Sequence, residues 1–160
     1  MPYQVRKGKI EDCPEILALI KELAIFENAS HEMEITLEEL QEDGFGKKPA
    51  YHIFVAEEQA EILGIALFYE KYSTWKGRSI YLEDLIVSQR HRKRGIGKKL
   101  FLEVVKEAKN RNSGRMEWQV LDWNKDAIRF YEKHGAELDA EWINCKFRRE
   151  QIKEIGNEGI

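Results

Sequence analysis

One junction in the sequence restricts the possible folds more than any other. The run RSIYLEDLIV, residues 78–87, is apolar and rich in β-branched side chains, as a buried strand is, and it leads into the basic segment QRHRKRGIGKKL, residues 89–100. Residues 97–110 then have helical periodicity, with an apolar face made of Leu100, Phe101, Val104, Val105 and Ala108. A strand that passes through a glycine-containing loop into an amphipathic helix predicts an α/β fold.

The elements around this junction predict a mixed sheet with helices on both faces. Residues 3–8 form a short predicted strand, helices begin at Asp12 and Thr36, and the runs YHIFVAEE and EILGIALFYE predict a hairpin. After the junction, MEWQVLDW, KDAIRFYEKHGA and AEWINCKF predict a strand, a helix ended by Gly135, and a last strand. The two late strand–helix units should be right-handed parallel crossovers. A chain of 160 residues fits one domain, residues 1–160, with a real core.

Two of these helix starts have the same capping pattern. Asp12 with Glu15, and Thr36 with Glu39, both match the capping box, in which each side chain accepts a hydrogen bond from the backbone of the other residue. Pro14 suits the first turn of the earlier helix, and DGFG ends the later one. We therefore predict a capping box at both positions.

The basic segment is a local feature of an acidic chain. Six of the ten residues from Arg90 to Lys99 are Lys or Arg, whereas the whole chain has a net charge of −3 and a pI of about 5.9. A general nucleic-acid-binding protein usually has a basic balance or a basic face. The local charge therefore favours a small anionic ligand over a polyanion, and we expect no nucleic-acid partner.

The cysteines, histidines and apolar runs exclude several other classes. Cys13 and Cys145 are far apart and form no CxxC pair, so we interpret them as thiols in a reducing compartment. The four histidines lack HxxxH and HExxH spacing, so we expect no metal. No apolar run reaches the length of a membrane span or, in MPYQVRKGKIEDC, of a signal peptide. We therefore expect a cytoplasmic protein with no membrane partner.

The two glycines of the basic segment have a physical use where they stand. Between a strand and a helix, free backbone N–H groups and the helix dipole attract an anion, and glycine lets the backbone approach it closely. The spacing Arg92-x-x-Gly95-x-Gly97 is not a P-loop, and Leu100 stands where a dinucleotide fingerprint requires a third glycine. On these residues alone, a phosphate site and a basic loop with a flexible glycine pair both stay open.

Several motifs in register resemble one known family. The loop is similar to the acetyl-CoA pyrophosphate loop of the GNAT (Gcn5-related) N-acetyltransferases, R/Q-x-x-G-x-G/A. Over residues 5–136 the chain resembles the spermidine/spermine (diamine) N-acetyltransferase-like subfamily, through KELAIFE, EDGFG, YSTWKGRSIYLED, RGIG, VLDWN and FYEKHGA. YSTWKGR, IYLED and VLDWN most resemble the thialysine Nε-acetyltransferase branch. The polyamine branch has an aspartate, thought to hold a polyamine cation, where this chain has Ser73.

This resemblance implies a fold, a reaction and a cofactor site. The GNAT fold has a central, mostly antiparallel sheet, with a parallel pair splayed at the acetyl-CoA site and helices on both faces. The implied reaction moves the acetyl group of acetyl-CoA to the primary amine of a small cationic substrate by direct attack in a ternary complex. Thialysine or another lysine analogue is the first candidate acceptor, and a diamine or polyamine is the second.

The same resemblance implies two groups of cofactor contacts. The backbone of one strand would pair with the pantetheine amides, the basic loop would wrap the pyrophosphate, and the start of a later helix would touch the pantetheine arm. The implied residues are Leu85, Ile86, Val87, Arg92, Lys93, Arg94, Gly95, Ile96, Gly97 and Lys98, followed by Asn124, Lys125, Asp126, Ala127 and Tyr131. Arg90 and Lys99 are left as solvent charges or partners of the adenosine 3′-phosphate, and His91 has no assigned role.

Glu83 and Tyr131 occupy the positions at which the family proposes a base and an acid. At pH 7 under about 0.1% of a lysine-like amine is free base, so a nearby carboxylate can attract the cation and take its proton. The resemblance gives that role to Glu83, often through water, and gives Tyr131 the role of protonating the leaving CoA thiolate. Glu83 and Asp84 are neighbours on a strand, so we expect their side chains to point to opposite faces and only one to face a given pocket directly.

The acceptor side of the site would combine carboxylates with aromatic side chains. A cluster of Glu27, Glu83 and Asp84 would select cationic amines by attraction. The complete set of implied substrate contacts is Phe26, Glu27, Trp75, Glu83, Asp84, Glu117, Trp118 and Gln119. The residues alone leave plainer roles open: Glu27 as a solvated helix-end carboxylate, Tyr131 as a core aromatic and Asn124 as a helix cap.

Two other functions compete with this interpretation. Acetylation of a protein lysine or N-terminus would use the same fold, although the short KGRSI connection provides no extra substrate-binding segment. A non-catalytic CoA- or nucleic-acid-binding protein would need neither Glu83 nor Tyr131. Members of the subfamily are usually homodimers that pair through the C-terminal strand region, and EWINCKF has the alternation of such a strand.

Overall fold

The fold is built on a five-stranded sheet whose strands lie in chain order. The computed structural model describes residues 2–158 and divides into two compact units, residues 1–119 and residues 120–160. The strands are β1 (Gln4–Lys7), β2 (His52–Glu58), β3 (Glu61–Ser73), β4 (Gly77–Val87) and β5 (Met116–Glu117). The helices of the first unit are α1 (Cys13–Phe26), α2 (Leu37–Phe45) and α3 (Ile96–Asn110), and those of the second are α4 (Lys125–Lys133) and α5 (Arg149–Gly156).

The predicted mixed sheet is confirmed. The first four strands pair antiparallel in succession, and β5 pairs parallel to β4. The β2–β3 and β3–β4 pairs are hairpins, because each connection is short, whereas the parallel β4–β5 pair needs the long crossover through α3. This arrangement places the basic loop at the end of β4, where the crossover begins.

The two faces of the sheet are covered by different helices. Apolar residues of α1 and α2 pack on one face, in a core that holds Ile16, Val55, Ile65, Leu67 and Ile86. Full burial of each such side chain contributes about 1.5–3 kcal/mol. We call this the α1 face.

On the opposite face, α3 lies directly on β3. A side chain at Gly64 would come within 3.2 Å of Leu100 and 3.3 Å of Ile96, so the missing Cβ lets the helix approach the strand. Leu100 and Val104 are fully buried there, as the helical periodicity predicts. This close packing fixes the start of α3 relative to the end of β4.

A β-bulge interrupts the β3–β4 ladder at Glu83. Phe68 pairs with Leu82 and Leu67 pairs with Asp84, so Glu83 is the extra residue on β4. A bulge bends its strand and increases the local twist. The parallel partner β5 pairs only at Ile80 and Tyr81. The strand predicted over residues 116–123 is therefore wrong beyond Glu117, since the ladder between β5 and β4 ends at Tyr81.

The second unit is helical, and the predicted last strand is wrong. Residues 140–147 form no strand; the Asp139 carboxylate accepts a hydrogen bond from the Glu141 N–H, and the chain bends there. Alternation of apolar residues specifies a strand only where a neighbouring edge supplies backbone partners. Helix α4 ends as predicted, since Gly135 adopts a left-handed φ of 81°.

One of the two predicted capping boxes is confirmed and the other is wrong. Thr36 Oγ1 accepts from the Glu39 N–H at 3.2 Å, and Glu39 accepts from the Thr36 N–H at 2.9 Å. At α1, Asp12 instead accepts from Arg6 at 2.8 Å and from the Lys9 N–H at 2.7 Å. Glu15 accepts from the Ile62 N–H at 3.0 Å. Long-range partners have replaced the local box.

Candidate active site

Two neighbouring carboxylates, Glu83 and Asp84, face the same side of the sheet. Asp84 pairs with Leu67, whose side chain belongs to the α1-face core, and paired residues share a face. Tyr69 lies two residues further along β3 on that same face, and its hydroxyl donates to Glu83 Oε2 at 3.3 Å. The prediction that the two side chains point to opposite faces is wrong, because the bulge at Glu83 shifts the alternation by one residue.

Glu27, at the end of α1, joins these residues in an acidic cluster (Glu27, Glu83 and Asp84). Burial, and then the charges of Glu83 and Glu27, raise the pKa of the half-buried Asp84 carboxyl to about 6. Burial also raises the pKa of Glu27. Like charges held together in a partly desolvated place are costly unless a cation joins them. The cluster can therefore attract a cationic ligand and accept a proton close to neutral pH.

Aromatic side chains cover the cluster from the β3–β4 hairpin. The rings of Tyr69 and Tyr81 are 5.4 Å apart, and the Lys71 ammonium lies 5.3 Å from the centre of the Tyr81 ring. Lys71 pairs with Glu117 at 2.8 Å. Burial, followed by the charge of Glu83, raises the pKa of Tyr69 to about 12. Tyr69 is therefore a neutral hydrogen-bond donor to Glu83 at physiological pH.

Sequence reasoning missed this aromatic cover, although a signal for it exists. The turn from Ser73 to Gly77 sets a register in which Tyr69 stands opposite Tyr81. Counting back along the hairpin from that turn would have paired the two tyrosines. No comparable signal indicated the bulge, which decides where Glu83 and Asp84 point.

The basic loop, residues 88–95, joins β4 to α3 and presents backbone donors. Gly95 has a left-handed φ of 77° immediately before the helix, and as the N-cap residue it has no side chain to cover the first-turn N–H groups. A Cβ at Gly95 would meet only the Tyr3 hydroxyl, at 3.9 Å, and one at Gly97 only Val87, at 3.5 Å. The backbone of Ile96, Gly97 and Lys98 is thus open to an anion.

The side chains of the basic loop divide between several neighbours. Arg92 lies 5.2 Å from the Phe26 ring and donates to the Val87 carbonyl at 3.4 Å. Arg94 pairs with Glu58 at 2.7 Å. Further contacts of the segment are Arg90 with Glu61, His91 with Glu61 and Arg94, and Lys99 over the Tyr3 ring. Phe26, predicted as a substrate contact, therefore touches a predicted cofactor residue.

The last residues of β4 provide an open backbone edge. Leu85, Ile86 and Val87 pair with β3 through Ala66, Ile65 and Gly64. On the other side the ladder to β5 ends at Tyr81. An extended ligand with amide groups can pair with this edge as an added strand would. The parallel pair therefore diverges at the place where the resemblance implies that it is splayed.

The predicted contacts of the second unit lie on α4. Asn124 caps the helix, its side chain accepting from the Ala127 N–H at 3.3 Å. Lys125 donates to the Asp122 carbonyl at 3.0 Å, and Asp126 pairs with Arg129. The ring of Tyr131 contacts that of Phe130 edge to face at 5.4 Å. The Asn124 side chain thus caps the start of α4, where the N–H groups of the first turn lie.

The remaining predicted substrate residues lie at some distance along the hairpin or in the β5 segment. Trp75 is 77% exposed in the turn before β4. Glu83 lies a further six residues beyond Gly77, the first residue of β4, which is about 20 Å along the strand. Trp118 packs edge to face on Phe101, and Glu117 is held by Lys71 and Arg115. Gln119 is the last residue of the first unit. The structure does not bring Trp75 together with the acidic cluster.

Other features of the described residues do not add to this site. A cavity of about 120 Å³ is lined by residues that include Lys7, Phe45, His52, Phe68 and Arg111, and none of them is a predicted site residue. Among residues 2–158, no group of three or more His, Cys, Asp or Glu side chains is placed to hold a metal ion. None of the helices in that part of the chain is both long and apolar enough to cross a membrane.

Known proteins resemble this chain in both sequence and structure. The model of the acetyltransferase (GNAT) family matches residues 15–136. The thialysine N-epsilon-acetyltransferase of Bos taurus is 39% identical over 96% of this chain and 97% of its own length. The Mus musculus protein of the same name is 37% identical over 95% and 96%. An integron cassette protein from the V. cholerae mobile metagenome has a TM-score of 0.81 and 21% identity over 99% of both chains, which speaks for the fold alone.

Proposed function

The chain belongs to the acetyltransferase (GNAT) family and is an N-acetyltransferase, and on that basis we propose that it acetylates the primary amine of a small cationic substrate with acetyl-CoA. One observation carries the substrate class. The acidic cluster collects three carboxylates, and the pKa of one of them, Asp84, is raised by burial and then by the negative charges of Glu83 and Glu27. An ammonium group is the ligand that would supply the missing charge.

Thialysine or another lysine analogue is the proposed acceptor, ahead of a diamine or polyamine. The two relatives named for thialysine support this order, since they match nearly the whole chain. Ser73, which stands where the polyamine branch has an aspartate, accepts hydrogen bonds from the N–H groups of Trp75 and Lys76. This residue closes the turn, and it carries no charge with which to hold a second ammonium.

The residues present fit acetyl-CoA. When bound, it supplies the activated acetyl group. The open edge of Leu85 to Val87 suits the amides of the pantetheine arm, and the N–H groups at the start of α3 suit the diphosphate. Arg92, Lys93 and Lys98 add positive charge. The cap at Asn124 is the proposed contact of the second unit, with Lys125, Asp126 and Ala127 beside it.

Proton removal from the amine is assigned to the acidic cluster. Only the neutral amine can attack. Removing the proton from a lysine-like amine, whose pKa is about 10.4, costs about 4–5 kcal/mol at pH 7. Glu83 remains the proposed base, held by the Tyr69 hydroxyl. Asp84 binds the same ammonium, and its pKa, raised to about 6, lies close to neutral pH.

Tyr131 is the proposed acid that protonates the leaving thiolate. Its support is the match of FYEKHGA to the family motif and its position on α4 after the Asn124 cap. A phenol with a pKa of about 10 can protonate a thiolate whose conjugate acid has a pKa of about 8.5, provided that a positioned hydrogen bond joins the two groups. We expect Tyr131→Phe to lower kcat at least about ten-fold under conditions where chemistry limits the rate. An unchanged kcat would remove the assignment.

We further propose that residues 1–160 act as one domain in a cytoplasmic homodimer. The family match crosses the boundary between the two units, which supports a single functional domain. The exposed side chains of Trp142, Ile143 and Phe147 support a contact with a second copy through the C-terminal region. Cys13 and Cys145 are free thiols, as a reducing compartment favours.

A panel of amines tests the proposed function directly. The purified protein is mixed with acetyl-CoA and thialysine, lysine, putrescine, spermidine or a lysine peptide, and thiol release is followed. We expect the highest kcat/KM with thialysine or a related lysine analogue. Fastest turnover of the peptide would replace the proposal with protein acetylation, and no turnover of any amine would overturn it.

A further inference from the structure

The cations of the basic loop do not all face the same partner. Arg94 forms a two-pronged pair with Glu58, through Nη2 to Oε1 at 2.7 Å and Nη1 to Oε2 at 3.4 Å. The same Nη1 lies 3.2 Å from His91 Nδ1, and the guanidinium is 5.8 Å from the centre of the Tyr3 ring. A guanidinium in this geometry already donates its N–H groups to acceptors within the protein. Arg94 is therefore poorly placed to give them to a phosphate.

The partner of Arg94 belongs to a strained turn. Glu58 ends β2 and Glu61 begins β3, and these two residues are paired across the hairpin. The two residues between them, Gln59 and Ala60, have left-handed φ values of 48° and 65°. Such a two-residue turn matches the twist of the strands but costs non-glycine residues about 1–2 kcal/mol each. It keeps the two carboxylates side by side.

Both carboxylates of that turn hold the basic loop. Glu61 contacts Arg90 at 2.9 Å and His91 at 3.3 Å, while Glu58 holds Arg94. The Arg90 pair is largely exposed, at 79% for the Arg90 side chain, so it contributes little. The Arg94 pair is less exposed, at 33% and 22% for its two side chains. We expect Glu58 to have the larger effect on the loop.

The loop is thus fixed at both ends. At its start, the Ser88 N–H donates to the Leu63 carbonyl at 2.9 Å and the Gln89 N–H to Glu22 at 2.8 Å. At its end, Glu58 holds Arg94. Between these contacts Lys93 has a left-handed φ of 63°, a conformation that a free loop rarely keeps for a residue with a Cβ.

We propose that the β2–β3 turn positions the basic loop, with Glu58 holding Arg94 so that the backbone N–H groups at the start of α3 are preorganised for the CoA diphosphate. Arg94 is then a positioning residue and not a phosphate ligand. The inference rests on the proposed function, since it assumes that the loop binds CoA. A preformed array of donors binds its ligand more tightly, because the entropy lost in ordering the donors is lost on folding and not on binding.

A double-mutant cycle on CoA binding tests this assignment. The Kd of CoA is measured by isothermal titration calorimetry for the wild type, Glu58→Gln, Arg94→Gln and the double variant. We expect each single change to weaken binding about three- to ten-fold, and the double change to add nothing beyond the larger single effect. Glu58→Asp should recover part of the loss. Glu103→Gln, which breaks an ion pair with Lys106 elsewhere on the surface, is the matched control and should leave Kd unchanged.

A second readout separates positioning from a general loss of structure. KM for acetyl-CoA should rise by the same factor as Kd while kcat stays constant, and KM for S-acetylpantetheine, which lacks the diphosphate, should not change. Thermal denaturation of each variant checks that the fold is intact.

Three results would overturn the inference, and a fourth would overturn the proposed function alone. Tighter or unchanged CoA binding in Glu58→Gln would mean that Arg94, once released, binds phosphate itself. Additive losses in the double variant would mean that the two residues act separately. A wild-type protein that does not bind CoA would overturn the inference together with the proposed function, whereas CoA binding without acetyl transfer to any amine would overturn only the proposed function.

Discussion

Two groups of three charged residues show how differently this fold treats carboxylates. In the Arg6 triad (Arg6, Asp12 and Glu57), one guanidinium holds both acids, at 2.8 Å and 2.9 Å. Burial alone would raise the pKa of Asp12, but hydrogen bonds from Arg6 and the Lys9 N–H leave it below its ordinary value. In the acidic cluster, burial and the charges of Glu83 and Glu27 all act in the same direction, and the pKa of Asp84 rises to about 6. The triad stabilises the fold, whereas under the proposed function the cluster receives its cation from the substrate.

Under the proposed function, this difference separates residues that serve stability from residues that serve binding. A neutralised group of charges has little left to offer a ligand, because its donors and acceptors are already satisfied. A group of like charges keeps its electrostatic attraction for a ligand, at a cost in stability. The contrast can be tested by changing each group and measuring both activity and stability.

The largest expected effect concerns the activity of the acidic cluster. Glu83→Gln and Asp84→Asn should each lower kcat/KM by about 100-fold or more, because the amine loses its counter-charge and its proton acceptor. The acid limb of the wild-type profile should lie near pH 6, where Asp84 titrates. Asp84→Asn should remove that limb. Glu83→Gln should move it to lower pH, because the negative charge that raises the pKa of Asp84 is gone.

The measurement is kcat/KM between pH 5 and pH 9, compared with Glu103→Gln as a surface control. Activity close to that of the wild type in both cluster variants would contradict the role of the cluster. A full loss in one variant alone would identify which carboxylate acts on the amine.

The second effect concerns the stability of the Arg6 triad. Arg6→Met should lower the free energy of unfolding by about 3 kcal/mol or more at pH 7, because the Asp12 carboxylate, whose side chain is 11% exposed, loses its cation. The folded-state pKa of Asp12 is lowered, so its stabilising contribution is present above about pH 4 and is lost as the pH falls through the lowered value. The variant should therefore lose less stability on acidification than the wild type.

Urea denaturation at pH 7 and pH 3 measures both parts of this prediction. Lys106→Met, which removes an exposed cation paired with Glu103, is the control and should change stability little. An equal loss of stability at both pH values would contradict the electrostatic explanation.

The third effect has the opposite sign. Asp84→Asn should raise the free energy of unfolding at pH 7.5 by up to about 3 kcal/mol, since a pKa raised from 3.8 to about 6 measures the cost of the ionised form in the fold. For a carboxyl with a raised folded-state pKa, wild-type stability is greatest below about pH 4 and falls as the pH rises through about 6. The gain should therefore disappear near pH 3. Denaturation of both proteins at the two pH values checks it, and a variant less stable than the wild type at pH 7.5 would contradict the account.

The sequence predicted those features that depend on local patterns. The β2–β3 hairpin follows from two strand-like runs around a polar turn, the α3 face from its periodicity, and the cap at Thr36 from its box. These features need only neighbouring residues or a short connection. The resemblance to a family extended this to the reaction, because it compares many positions at once.

Features that depend on distant partners were not predictable in the same way. Asp12 matched a capping box as well as Thr36 did, yet Arg6 and the Lys9 N–H take its carboxylate. The bulge at Glu83 adds one residue to an otherwise regular ladder, and no residue type marks its place. A one-residue shift reverses the face of every later side chain. For that reason the shared face of Glu83 and Asp84 could be seen only in the structure, although the resemblance already implied that they cluster with Glu27.

The smallest expected effect concerns how Glu83 is held within the acidic cluster. Tyr69→Phe removes a neutral donor 3.3 Å from Glu83 and keeps the ring that contacts Tyr81. One hydrogen bond contributes about 1 kcal/mol, so kcat/KM should fall about five-fold, and the free energy of unfolding should fall by no more than about 1 kcal/mol. Because the pKa of Tyr69 is about 12, the hydroxyl stays protonated and the ratio to the wild type should be constant from pH 6 to pH 9. Tyr72→Phe, in the same hairpin and 70% exposed, is the control. A loss of kcat/KM near 100-fold would show that Tyr69 acts on the substrate itself. Activity would then depend on a neutral hydrogen-bond donor as much as on the charges of the acidic cluster.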